Sequence, residues 1–236
     1  EPVMVTFNTV RFKEDLAGKV GRFIEADSTE IINLLNSNSF VSKYGFDTST
    51  FLTLFLPNTY EFWWNTSAEQ FVERMASEYK SFWTAERKQK ARNLGLSQSE
   101  VSILASIVQK ETNKNDEKPT VAGVYLNRLK KGMLIQADPT LVYANRDFDA
   151  RRVLNKHKLI DSPYNTYRYK GLPPGPICLP SISSIDAVLN AKSHNYLYFC
   201  AKADNSGYHS FASTYNEHLR NAREFQRELN RRKVYR

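Results

Sequence analysis

The chain has 236 residues, 41% hydrophobic and 25% charged, a composition that lets it bury a proper core as one large domain or two small ones. Its net charge of +8 suits an anionic partner such as nucleic acid, anionic lipid or a cell-wall polymer. No run of 18 apolar residues occurs, which excludes a membrane-spanning helix within the sequence.

Four histidines without ligand-like spacing argue against zinc, and nothing else in the sequence calls for a metal or cofactor. Cys178 and Cys200 are too few for a disulfide scaffold and are either free or joined in one bridge. There is no signal-peptide pattern, and the opening Glu-Pro predicts that any targeting segment lies outside this sequence.

From the N-terminus, Met4 to Val10 alternates and is β-branched, which predicts a strand. Phe12 to Ile24 follows as a helix with Leu16, Val20 and Phe23 on one side. Ser28 to Leu35 follows as another, with Ser28 as its cap and Ile31, Ile32 and Leu35 inward. Phe51 to Leu56 reads as a second strand, ended by Pro57-Asn58-Thr59. A strand-helix-helix-strand unit of about fifty residues is small for independent folding, so it is expected to pack on the rest of the chain. Ser67 to Trp83 is an amphipathic helix whose Phe71, Met75, Tyr79 and Phe82 form a core stripe. Glu86 to Asn93 continues helically to Gly95, near which the main boundary is expected.

Ser97 with Glu100 three residues later is a capping box, and Leu104, Ile107 and Val108 share one face of the helix that it opens. Glu111 continues that face, four residues after Ile107 and three after Val108. A carboxylate at the end of an apolar stripe either frays into solvent in the last turn, or is paired, or is held protonated with a raised pKa, the state that a general acid needs. Periodicity alone leaves these alternatives open.

Beyond a polar loop, Pro119 starts a helix through Val121, Val124, Tyr125 and Leu129 that closes at Lys131-Gly132. Three hydrogen-bond-rich or turn-rich loops are then predicted at 136–140, 162–167 and 171–177. Their Tyr, Asn, Thr and Pro content suits sugars, since aromatic faces stack on pyranose rings while amides and hydroxyls meet ring hydroxyls. Ser183 to Ala191 is a short helix, Asn195 to Cys200 a core strand, and Gly207 to Phe211 its returning partner. Thr214 to Arg232 is a basic terminal helix. Its Arg220, Arg223, Arg227, Arg231 and Arg232, with Lys233 and Arg236 beyond, interleave with Glu217, Glu224 and Glu228 as a solvated face. Helices dominate and strands are few, so the expected class is α+β.

The run Leu104-Ala105-Ser106-Ile107-Val108-Gln109-Lys110-Glu111 is succeeded in order by Val121 to Leu129, Gly132 to Thr140, Tyr164-Asn165-Thr166-Tyr167 and Gly171 to Ile177. Together these resemble the MltG (YceG-like) family of endolytic murein transglycosylases, from about Phe55 to the C-terminus. Leu56-Pro57-Asn58-Thr59-Tyr60 resembles the entry motif of the catalytic domain, and Met4 to Phe55 resembles a partial LysM-like region. The resemblance implies two parts: a truncated LysM-like βααβ unit at 1–55, and a helix-rich catalytic domain with a few antiparallel strands at 56–236, including linking helices over 56–95.

The resemblance also implies an activity. This is non-hydrolytic cleavage of the bond between N-acetylmuramic acid and N-acetylglucosamine within nascent glycan strands, leaving 1,6-anhydromuramyl ends, with Glu111 as general acid and then base and with no cofactor. One carboxyl can suffice because the attacking group is the sugar's own C6 hydroxyl, whereas ordinary glycosidases pair two carboxylates. By resemblance Gln136, Asp138, Thr140, Tyr164, Asn165, Thr166 and Tyr167 lie in the substrate groove, with Asn127, Arg128, Tyr143 and His209 as further candidates. Asp138, the other acid in these motifs, reads as an orienting residue. No second carboxylate is expected at nucleophile distance. Gln109 stands where many members carry Glu, but two residues from Glu111 it points elsewhere on the helix.

The implied partners are peptidoglycan strands and peptidoglycan synthases. The implied location is the outer face of the cytoplasmic membrane, reached by a single-pass segment outside this chain. A catalytically silent wall-binding module is the alternative reading. A nucleic-acid-binding protein is disfavoured, because no basic stripe coincides with the aromatic-rich loops.

Overall fold

The computed structural model describes residues 1–149 and 153–231. Arg232, Lys233 and Arg236 of the basic tail lie outside the described residues. The class is α+β, with two antiparallel strand pairs among many helices. No helix in the described residues is long and apolar enough to cross a membrane.

The N-terminal part runs β1 (Pro2–Phe7), α1 (Lys13–Val20), α2 (Ser28–Leu35), α3 (Asn38–Val41) and β2 (Asn58–Trp63). β1 and β2 pair antiparallel with Val5 opposite Tyr60, so Val5, Phe7, Tyr60 and Phe62 share the buried face. The segment expected to be the second strand is instead a 3₁₀ turn, Phe51–Leu54. Its Phe51, Leu52, Leu54 and Phe55 are all buried, and an apolar run buried on every side carries no periodicity to separate strand from helix. Pro57 therefore precedes the strand that was expected to end before it.

Two smaller expectations also change. Asp27, not Ser28, caps α2: its Oδ1 accepts the Thr29 and Glu30 amides at 2.7 and 2.8 Å, while Glu30 reaches back to the Asp27 amide at 3.0 Å. α1 stops at Val20, which leaves Phe23 in a turn and exposed.

α4 (Ala68–Phe82) is capped by Ser67 and buries Phe71 and Met75 against the β1–β2 pair and α2. This first core also takes in Leu179 from far along the chain. α5 (Ala85–Leu94) ends at Gly95, whose φ of +74° is the left-handed conformation that closes a helix without a Cβ clash.

The second core is built by α6 (Gln98–Glu111), α7 (Lys118–Lys130) and, later in the chain, α9 (Ile182–Leu189), with Trp83 buried at its edge. Between α7 and α9 come α8 (Asp138–Asn145) and a 3₁₀ turn at Asn155–Leu159. β3 (Tyr198–Ala201) and β4 (His209–Ala212) form the expected hairpin with Phe199 opposite Phe211, although β3 is half-buried rather than a core strand. α10 (Tyr215–Arg231) lies on this hairpin and buries no residue, and Arg231 pairs with Glu228 at 2.8 Å as the interleaved charges imply. Cys178 and Cys200 are both free.

Candidate active site

The site is positioned from α6. Ser97 Oγ accepts the Glu100 amide at 3.2 Å and Glu100 accepts the Ser97 amide at 2.7 Å, so the start of the helix is held from both sides. Residues 101–108 are buried throughout, which fixes the rotation of the helix and carries its last turn to a cavity of about 400 Å³, within the usual range for small-molecule clefts. Glu111 sits at the wall of this cavity with intermediate exposure, and Tyr125 Oη donates to its Oε1 at 2.5 Å. Burial raises the Glu111 pKa to about 7. The Tyr125 hydrogen bond opposes that rise, the nearby Asp138 charge adds to it, and Arg128 opposes it. The carboxyl is thus protonated in a substantial share of molecules at neutral pH. The apolar stripe noted in the sequence ends in a carboxyl that is hydrogen-bonded at the cavity wall rather than frayed into solvent.

The opposite wall is made by the start of α8. Asp138 is the first residue of that helix, not part of a loop as expected, and its carboxylate accepts a hydrogen bond from Tyr167 Oη at 2.5 Å. Pro139 fits in this first turn because the amide it lacks would have had no helical partner. Just before it, Gln136 adopts φ +53° and is exposed, and its amide donates to the Thr166 carbonyl at 3.0 Å.

The Tyr164-Asn165-Thr166-Tyr167 motif divides by burial. Asn165 and Thr166 point inward with Thr140. The Asn165 amide group holds the Lys158 and Ile160 carbonyls, while Thr166 Oγ1 accepts the Ala137 amide at 3.0 Å and bonds Thr140 Oγ1 at 2.8 Å. These three side chains fix the shape of the wall and do not line the cavity. Tyr143 lines it, with Tyr164 packed against Tyr143 at 4.8 Å between ring centres.

The remaining candidates lie elsewhere. Asn127 donates to the His194 and Tyr196 carbonyls at 2.7 and 3.0 Å, and Arg128 to the Leu197 and Ile135 carbonyls at 2.6 and 2.8 Å, so both brace backbone. Arg128 still acts on the site through its charge. His209 Nδ1 lies 2.7 Å from the buried Glu117 Oε2 and is not among the residues lining the cavity.

Gln109 does point away from the cavity. It joins α9 to the N-terminal part by accepting the Ser181 amide at 2.5 Å and donating to Thr9 Oγ1 at 2.8 Å. Ser106 accepts the Ile177 amide at 3.0 Å, which ties another cavity-lining residue to α6.

Sequence reasoning missed several groups. Tyr125 reads as one more apolar residue in its helical stripe, and nothing in that stripe reveals its hydroxyl aimed at Glu111. Arg11 and Phe148 both line the cavity, the guanidinium lying 4.0 Å from the ring centre. They are more than a hundred residues apart and leave no pattern to read. The cavity is lined by both Glu111 and Asp138, the two acids of the motifs that the resemblance assigns to the groove.

The chain resembles known proteins along most of its length. A profile described as the YceG-like family matches residues 3–224. Over 157 residues, or 65% of the chain, it is 37% identical to an endolytic murein transglycosylase of Bacillus subtilis (strain 168), and over 173 residues, or 71%, it is 32% identical to one of Streptococcus pneumoniae serotype 2 (strain D39). The matched regions span only 42% and 31% of those relatives' own lengths. A crystal structure of a YceG-like protein from Listeria monocytogenes superposes with a TM-score of 0.78 at 27% identity, covering 92% of this chain and 75% of that one.

Proposed function

The chain belongs to the YceG-like family, and on that premise we propose that it is a peptidoglycan lytic transglycosylase with Glu111 as its catalytic acid and base. One observation carries the reading: a partly buried carboxyl with a pKa of about 7, at the wall of a sugar-sized cavity, hydrogen-bonded by Tyr125.

Protonated Glu111 gives its proton to the glycosidic oxygen between N-acetylmuramic acid and N-acetylglucosamine as that C–O bond breaks. The muramyl C6 hydroxyl attacks C1, and the Glu111 carboxylate accepts the hydroxyl proton, which closes the 1,6-anhydro ring and regenerates the acid. Such acid–base help is worth about 10²–10⁴-fold. Asp138, held by Tyr167, orients the sugar, and Tyr143 offers an aromatic face. The presence of Asp138 gives a second reading, hydrolysis by a carboxylate pair, one specific observation in its favour. Mass spectrometry of digested glycan strands separates the outcomes: anhydromuramyl ends support the transglycosylase, and ends heavier by one water support the hydrolase. No cleavage by the parent protein, with glycan still bound, supports the wall-binding module.

The same reading proposes a LysM-like unit over residues 1–55 and a catalytic region over 56–236, cleavage within nascent strands, and work alongside peptidoglycan synthases. It places the protein in the cell envelope, held at the cytoplasmic membrane by a segment outside this sequence.

A further inference from the structure

A second concavity, of about 570 Å³, opens beside the Glu111 cavity and shares Arg11 and Lys110 with it. It runs along one face of α1, which carries Asp15, Gly18 and Lys19, with Arg11 just before the helix and Arg22 in the turn that follows it. Its charge is uneven. Arg11, Lys19, Arg22 and Lys110 line it against Glu14 and Asp15, and the Asp15 carboxylate is already engaged by the Arg11 and Phe12 amides at 3.1 and 3.0 Å.

Among the described residues, none of these four cations has a carboxylate within ion-pair distance, whereas Arg74, Arg87, Lys90 and Arg231 all do. Lys19, Arg22 and Lys110 are exposed. Gly18 leaves the groove open: a Cβ there would meet nothing within 4 Å, so the missing side chain serves no packing contact. A glycine inside a helix is less stable there than alanine, and the space it leaves here opens onto this groove.

We propose that this groove is a subsite for the acidic stem peptide borne by the muramyl residue, its free carboxylates meeting Lys19, Arg22 and Lys110 while the sugar occupies the cavity at Glu111. The proposal rests on the peptidoglycan reading above and adds a determinant of substrate choice to it. Two physical points favour a peptide over the muramyl lactyl carboxylate alone. In a peptide-bearing strand that carboxylate is consumed in an amide, so the free charges lie further from the ring. The groove also follows the eight residues of α1, about 12 Å at 1.5 Å per residue, which an extended peptide of roughly four residues spans.

The test compares peptide-bearing glycan strands with the same strands stripped of peptide by an amidase. Two variants are used: the double substitution Lys19→Gln with Arg22→Gln, which removes charge, and Gly18→Phe, which fills the groove without changing charge. Each should lower the ratio of kcat/KM for peptide-bearing over stripped strands by about tenfold, and the parent's ratio should decline with added salt. An unchanged ratio in the double variant overturns the proposal, and that variant decides alone if Gly18→Phe does not fold.

Should the parent cleave neither polymer, the catalytic reading fails and the groove is judged separately by calorimetry. A soluble disaccharide-pentapeptide must then bind the parent at least tenfold more tightly than the bare disaccharide, with the difference lost in the double variant. Equal affinity, or no binding of the peptide form, overturns the subsite.

Discussion

Glu111 is a carboxyl whose folded pKa, about 7, lies above its ordinary value of 4.5 because burial penalises its charge. The stability associated with it is therefore full below about pH 4.5, falls as pH rises towards 7, and stays reduced above that. Glu111→Gln removes the charge and should be more stable than the parent at pH 8, by on the order of 1–3 kcal/mol, and match it at pH 4. Its activity on peptidoglycan should fall by about 10²–10⁴-fold. Equal melting at both pH values would show that the site is not desolvated. The two neighbours act with opposite sign on the alkaline limb of kcat/KM, which should centre near pH 7 for the parent. Tyr125→Phe removes a donor that favours the carboxylate, so the limb should move to higher pH. Asp138→Asn removes a repelling charge and should move it lower. At this scale the sequence motifs named both of the acids that line the cavity, Glu111 and Asp138. It could not show that Thr140, Asn165 and Thr166 turn inward, because burial of a short polar side chain depends on contacts made across the fold.

The elements that frame the cavity are held by close backbone approaches and buried hydroxyls. Gly123 of α7 lies so near the 192–194 segment that a Cβ would stand 2.6 Å from the Lys192 carbonyl oxygen and 2.5 Å from His194 Nε2. Gly123→Ala should therefore destabilise by about 1–3 kcal/mol, despite alanine's higher helix propensity. A urea midpoint that drops with an unchanged slope would show it. Thr166→Val keeps the shape but leaves the Ala137 amide without its acceptor, and should lower stability by about 1–3 kcal/mol. Most helices were legible because caps and apolar periodicity are local, as at Ser67, Ser97 and Gly95. The 3₁₀ turn at Phe51–Leu54 and the strand Asn58–Trp63 were not, since the first is apolar on all sides and the second takes its partner from the far N-terminus.

Across the whole molecule, two cores are joined at few points, and Leu179 is the clearest. Its side chain is buried in the N-terminal core, and its amide donates to the Val10 carbonyl at 2.7 Å. Leu179→Ala should destabilise by about 2–5 kcal/mol. Fluorescence of Trp83, buried at the edge of the other core, should report the loss at a lower denaturant concentration if both cores unfold together. A Trp83 midpoint equal to the parent's would mean that they unfold separately. This junction also brings Arg11 to the Glu111 cavity, with Phe12 stacked on Tyr143 at 5.2 Å. By itself the sequence determined the α+β class, the order of most helices and the family, and it singled out Glu111 as the candidate acid, since each is written in short-range patterns of caps, periodicity and motif. Only the tertiary structure decided the partner of Glu111, the split of the Tyr164–Tyr167 motif and the basic groove along α1. Those depend on side chains brought together from distant parts of the chain, and such proximity leaves no local trace.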